Sequence, residues 1–265
     1  MYRFLLTPRW LALHVLVLVL IPSFVFLGRW QFGRYEQRSS ASSLATGNLA
    51  AAPVPLTSLD GPGAAVPASV RYRSVTTTGR YDPSHELLVR RRTQNSRPGF
   101  YVLTPLVTAD GTAALVNRGW VKMGPTADAP PEVPPPPSGE VSVTGRLRQA
   151  ETEESTGITN RSGLPPRQVL LINTPDLAKT VPYKLFGGYV ELTEQRPGAA
   201  TAPEPVPDPD IGGGGGLNLA YGVQWWMFIG IAIGGWIMLI RREARDLKAE
   251  RESSADAGAV PAPGH

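Results

Sequence analysis

Cysteine is absent from this chain of 265 residues, and histidine occurs only three times. Without a thiol there are no disulfide staples, no Cys-ligated zinc or iron–sulfur cluster, and no thiol nucleophile or thiol redox couple. Between residues 28 and 217 the single histidine is His85, so a metal centre built from clustered imidazoles is excluded there. No Gly-x-Ser-x-Gly elbow, phosphate-binding glycine loop, His-Glu-x-x-His pair or Ser-x-x-Lys arrangement occurs, which leaves no self-contained enzyme chemistry. Glu151, Glu153 and Glu154 cluster, but a charge run on a loop reads as a solvated face. An excess of one charge is also missing. The 28–217 segment carries 19 basic against 17 acidic side chains, so nucleic acid is not an expected partner.

What the chain does have is two long apolar runs. The first, Trp10 to Leu27, is broken only by His14 and Ser23, follows Arg3 and Arg9, and is long enough to span a bilayer. It exceeds the apolar stretch of about 7–15 residues in a cleaved signal peptide, and Gly28-Arg29-Trp30-Gln31 offers no small-residue cleavage site. The second run, 218–240, is followed by Arg241, Arg242, Arg245, Lys248 and Arg251. The stretch before it, Gly198 to Gly216, has no Lys or Arg and carries Glu204, Asp208 and Asp210. Positive charge marks the cytoplasmic flank, which predicts a multi-pass cell-membrane protein with both termini inside. The expected order is a cytoplasmic N-terminus (1–9), a transmembrane helix (10–27), an extracytoplasmic domain (28–217), a second helix (218–240) and a basic, then disordered, tail (241–265).

Within the outer domain, Ser39 to Ser69 is rich in Ala, Ser, Gly and Pro and is expected to be loosely packed. Strand-like segments follow at 71–81, 86–92, 100–107, 112–121, 141–147 and 189–193, rich in β-branched and aromatic residues. Arg97-Pro98-Gly99 and Asp110-Gly111 are the expected turns between them. Prolines at 130–131 and 134–137 mark a surface excursion, Thr174-Pro175 a short helix start with Thr174 as cap, and the segment from Pro197 through Gly212–Gly216 a flexible tether. The expectation is an α+β membrane protein: two transmembrane helices flanking an antiparallel β-rich domain, a small barrel or a sandwich, with one or two short helices.

Four segments, in order, resemble the surfeit locus protein 1 family of cytochrome c oxidase assembly factors. They are Gly28-Arg29-Trp30-Gln31-Phe32-Gly33-Arg34, Gly79-Arg80-Tyr81-Asp82 with Gly99-Phe100-Tyr101-Val102-Leu103-Thr104-Pro105-Leu106, Leu115-Val116-Asn117-Arg118-Gly119-Trp120-Val121, and Leu219-Ala220-Tyr221-Gly222-Val223-Gln224-Trp225-Trp226. The resemblance implies a non-enzymatic factor that helps the haem-bearing subunit I of a haem–copper oxidase mature, through haem delivery or insertion. The partners would be that subunit or its assembly intermediate, and the haem-synthesis machinery. An accessory subunit of the finished oxidase is the alternative.

Partner contact is expected at Gly28, Trp30, Gln31 and Arg34, and at Asn117, Arg118, Gly119 and Trp120. Trp30 also suits an interfacial aromatic anchor, and Trp120 a core position. Alternation puts Arg118 opposite Asn117, on what is expected to be the surface. If haem of type a is held transiently, Tyr221, Gln224 and Trp225 share a helical face near the outer surface to wall it. Members of the family commonly carry His where this chain has Asn218, and an amide is a poor iron ligand. His14, ionisable inside a span, is the other candidate ligand.

Overall fold

A backbone surrounded by lipid can satisfy its polar groups only within itself, and the first apolar run takes the helical solution. The computed structural model describes residues 3–124, 130–211 and 216–258. In chain order the elements are α1 (Pro8–Ala50), β1 (Val54–Pro55), β2 (Ser74–Tyr81), β3 (Leu87–Gln94), β4 (Arg97–Val107), β5 (Ala113–Lys122), β6 (Glu140–Arg148), α2 (Glu153–Thr156), β7 (Gln168–Val169), α3 (Thr174–Leu177), β8 (Leu185–Arg196) and α4 (Gly216–Gly258). Both α1 and α4 contain a stretch long and apolar enough to cross a membrane. The chain divides into two compact units, Met1–Ala41 with Gly212–His265, and Ser42–Ile211.

In the second unit the strands β2, β6, β8, β5 and β4 are hydrogen-bonded in that order, and β2 pairs back onto β4 through Arg80↔Val107 and Tyr81↔Leu106. The ring is therefore closed, which decides barrel over sandwich and removes the sheet edges of these five strands. The sheet is mixed rather than wholly antiparallel. β5 runs parallel to β8, β1 to β2 and β3 to β7. A 62-residue connection between β5 and β8, holding β6, α2, β7 and α3, makes the parallel pairing possible.

Val75, Leu106, Val116, Val143, Leu147 and Val190, contributed by all five strands of the ring, fill its interior. A second cluster, with Val89, Leu103, Leu115, Ile172 and Tyr189, covers the opposite face of β4, β5 and β8. β5 lies between the two and is buried from Ala113 to Val121.

Several local expectations change. The stretch 39–69 is not loose: α1 continues to Ala50, Asn48 Nδ2 donates to the carbonyls of Ser69 (2.8 Å) and Arg71 (2.9 Å), and Leu56 and Val66 are buried. Burial pushes the Asp60 carboxyl above its ordinary value, against backbone hydrogen bonds from Gly188, Gly187 and Gly61. The turn before β4 falls at Asn95 (φ 50°) and Ser96 (φ 61°), and Arg97-Pro98-Gly99 joins the strand. Asn173, not Thr174, caps α3.

The segment after Pro197 is tied to the barrel. Trp120 and Glu204 exchange both backbone hydrogen bonds, and Arg146 donates to the carbonyls of Val206 and Pro207. The tether glycines Gly212–Gly215 lie outside the described residues. α4 carries helix through the basic flank to Gly258, with Arg242–Asp246 and Lys248–Glu252 pairs one turn apart, where a disordered tail was expected. Residues 259–265 lie outside the described residues.

Candidate functional site

The Asn117–Trp120 segment sits on β5, whose two faces are both covered, so alternation gives it no exposed side. Arg118 does point opposite to Asn117, but that face is the barrel interior, and Arg118 is 4% exposed. Its guanidinium donates to Glu86 Oε2 (2.9 Å) and to the Pro134 carbonyl (2.8 Å), and lies 5.7 Å from the Tyr81 ring. Glu86 Oε2 also accepts from Thr104 Oγ1 at 2.7 Å. Two motifs far apart in sequence thus meet on Glu86, which no spacing rule singles out. The neighbouring Tyr81 phenol is pushed up by burial, with Arg118 opposing.

The rest of the segment is equally internal. Asn117 Oδ1 accepts from Gly119 N–H at 3.2 Å. Gly119 has φ +134°, and a Cβ there would stand 2.4 Å from the Glu204 carbonyl, so glycine alone lets the strand after Pro197 approach. Trp120 is fully buried and donates from Nε1 to the Arg92 carbonyl at 2.8 Å, with Arg97 4.9 Å from its ring. The expected surface position of Arg118 is corrected: Asn117, Arg118, Gly119 and Trp120 are all buried, and Arg118 and Trp120 hold the proline segment and the Glu204 strand onto the barrel.

Glu151 is a second correction. Its side chain is largely buried and takes the Arg92 guanidinium at 2.5 Å and the Ile172 N–H at 2.9 Å, while Glu153 and Glu154 stay exposed. Arg146 and Arg148 both pair with the buried Glu191, across the β6–β8 ladder. At the barrel rim, His85 Nδ1 faces both Asp82 Oδ2 (2.7 Å) and Ser84 Oγ (3.0 Å). One nitrogen serving both cannot relay a proton from serine to carboxylate, so this is a turn cap and not a nucleophilic triad.

In the helix unit, small residues let α1 and α4 approach closely. A Cβ on Gly28 would be 3.2 Å from Trp226 Nε1, and one on Gly222 would be 3.2 Å from the Phe32 ring. Phe24, Trp225 and Phe228 stack between the helices with centroids 5.6–5.8 Å apart. Gln31 Oε1 and Trp225 Nε1 are buried there with no hydrogen-bond partner. Trp30 (52% exposed), Tyr221 (49%) and Arg34 are exposed, Trp226 (47%) is half-exposed with one edge of its indole against Gly28, and Asn218 and Gln224 are partly buried.

These residues do not fit a haem between the helices. The pair is closed by the Gly28–Trp226 and Gly222–Phe32 approaches, and Asn218 brings no iron ligand to this end. His14 Nδ1 accepts from Trp236 Nε1 at 3.0 Å. Indole can only donate, so in this arrangement Nδ1 of His14 is occupied by Trp236 as a contact between the helices.

Two helices long and apolar enough to cross a membrane, with a closed five-strand barrel between them in sequence, define an α+β membrane protein. The SURF1 family model matches residues 18–230. An uncharacterised SURF1-like protein of Mycobacterium tuberculosis is 33% identical over 253 residues, 95% of this chain and 90% of its own length. Surfeit locus protein 1 of Takifugu rubripes is 32% identical over 157 residues, 52% of this chain and 62% of the fish protein. The cytochrome oxidase assembly protein SHY1 of Saccharomyces cerevisiae is 29% identical over 97 residues, 36% of this chain and 24% of the yeast protein. The chain belongs to the SURF1 family.

Proposed function

We propose that this protein is a membrane-anchored assembly factor for a haem–copper cytochrome c oxidase and assists maturation of its haem-bearing subunit I. The observation that carries the reading is the family match over 18–230, which takes in the barrel and part of each long helix, with a cytochrome oxidase assembly protein among the relatives. In this reading both termini are cytoplasmic and the barrel is extracytoplasmic, on the charge contrast across the second span. Contact with the oxidase intermediate, or with the machinery that supplies its haem, runs through the outward aromatics Trp30, Tyr221 and Trp226, with Arg34 beside them. Trp and Arg are the residues that most often anchor such interfaces. The factor positions and protects its partner without forming a covalent bond.

The test is removal of the gene. Assembled oxidase and its haem absorbance fall while subunit transcripts stay level. The protein copurifies with immature oxidase in substoichiometric amount. Stoichiometric recovery with the finished enzyme would make it an accessory subunit instead.

A further inference from the structure

The antiparallel register between β3 and β4 breaks between Val89 and Arg92, a β-bulge that holds Arg91 at φ +57°. A non-glycine residue in the left-handed region and a bulge beside an open cleft are both devices that re-aim side chains. The cleft here has a volume of about 650 Å³ and is lined by Arg90, Arg91, Arg92 and Arg161, with no acidic residue among the described residues of its walls. Phe100, Met123, Leu164 and Leu170 form its apolar side.

The four arginines are not equivalent. Arg90 is bonded to Gln168 and lies 5.5 Å from the Phe100 ring. Arg92 is neutralised by Glu151, yet its Nε is buried without an acceptor. Arg91 and Arg161 are exposed and make no side-chain hydrogen bond or ion pair among the described residues. On the adjoining loop, Glu153 Oε1 accepts from the Asn160 backbone N–H. Unpaired guanidinium groups on the rim of an apolar recess match an anion with several oxygens and a greasy body, because the planar fork takes phosphate oxygens in pairs.

We propose that this cleft binds a phosphate-bearing anion, with Arg91 and Arg161 on the phosphate and the Phe100–Leu170 wall against an apolar substituent. The source can be an anionic phospholipid headgroup or a soluble phosphate ester, since both present the same chemistry. This site does not rest on the oxidase reading: its arginines belong to no motif used for it, and only Gly99 and Phe100 of its wall lie in one.

The experiment is native mass spectrometry of the full-length protein in detergent, offered dioctanoyl-phosphatidylglycerol, dioctanoyl-phosphatidylcholine or inorganic phosphate. An Arg91→Glu/Arg161→Glu variant is compared with Arg80→Glu/Lys184→Glu, which makes the same charge change at exposed positions away from the cleft. Lipid clinging to the apolar helices is common to all variants and cancels. The expected result is one phosphatidylglycerol held per chain by wild type and control, weakened at least about tenfold in the cleft variant, with phosphatidylcholine bound less. Inorganic phosphate binding as tightly as the lipid, and equally lost in the cleft variant, supports the site and names the soluble source. Equal phosphatidylglycerol retention by both variants, or binding only of an acidic peptide such as oligoglutamate, overturns the proposal. Unchanged thermal melting of the variants ensures that loss of binding is not loss of fold.

Discussion

Strand β5 and the paired helices α1 and α4 both carry family motifs, and they dispose of those motifs in opposite directions. On β5, Arg118, Gly119 and Trp120 turn inward and find partners at Glu86, Pro134, Glu204 and Arg92, although Asn117 Nδ2 beside them is buried without one. On the helices, Trp30, Tyr221 and Trp226 turn outward, and two buried polar atoms, Gln31 Oε1 and Trp225 Nε1, are left without a bond. A motif shared across relatives is thus a structural clamp in one region and an exposed surface in the other. Where donors are satisfied the residue supports the fold. Where large aromatic side chains stay exposed, a partner has something to cover.

The sharpest way to break this contrast is to truncate the clamp. Trp120→Ala is expected to cost the barrel about 3–5 kcal/mol, from lost burial and an orphaned Arg92 carbonyl. Chemical denaturation followed by far-ultraviolet circular dichroism reads it, and an unchanged midpoint would show that the indole is not the clamp. Arg118→Ala comes next, at about 3 kcal/mol, because it leaves the Glu86 carboxylate half-enclosed without its cation. Adding Glu86→Gln should recover part of that loss, and no recovery would place the cost elsewhere.

Trp30→Ala probes the other side of the comparison. A half-exposed indole on a helix surface should leave thermal stability within about 0.5 kcal/mol, yet assembled oxidase should drop in a complementation assay. Oxidase levels that track only stability across all three variants would erase the distinction between clamp and surface.

The smallest effect concerns pH. Burial would raise the Asp82 carboxyl, but hydrogen bonds from Ser84, His85 and Tyr183 outweigh it and hold the group at about 2, below its ordinary 3.8. A depressed folded-state value contributes stability that is complete above about pH 4 and lost as pH falls through about 2. Asp82→Asn should therefore flatten the melting temperature between pH 4 and 2 relative to wild type, and parallel curves would show that the rim network does not titrate.

Much of this was legible from residues alone, and the failures have physical causes. The strands around Val75, Leu106, Val116 and Val143 were marked by β-branched alternation, and the Asp110-Gly111 turn by a glycine at φ +81°. The Asn95-Ser96 turn was missed because two non-glycine residues take positive φ there, while Pro98-Gly99, which signals a turn, lies within β4. Arg118 was misplaced because alternation names the opposite face without saying whether that face is solvent or barrel interior. Barrel closure itself rests on two residue pairs between β2 and β4, a non-local contact that no periodicity announces. Glu86 was invisible for the same reason, since its partners Thr104 and Arg118 come from two other strands.

The most direct test of the central reading is the amount of assembled cytochrome c oxidase, by haem absorbance and by native gel, in membranes of a strain lacking this gene. The account predicts a clear fall in the deletion, full restoration by the wild-type chain, and poor restoration by a Trp30→Ala/Trp226→Ala chain present at wild-type level. Normal oxidase in the deletion strain, with no second family member expressed, would contradict it.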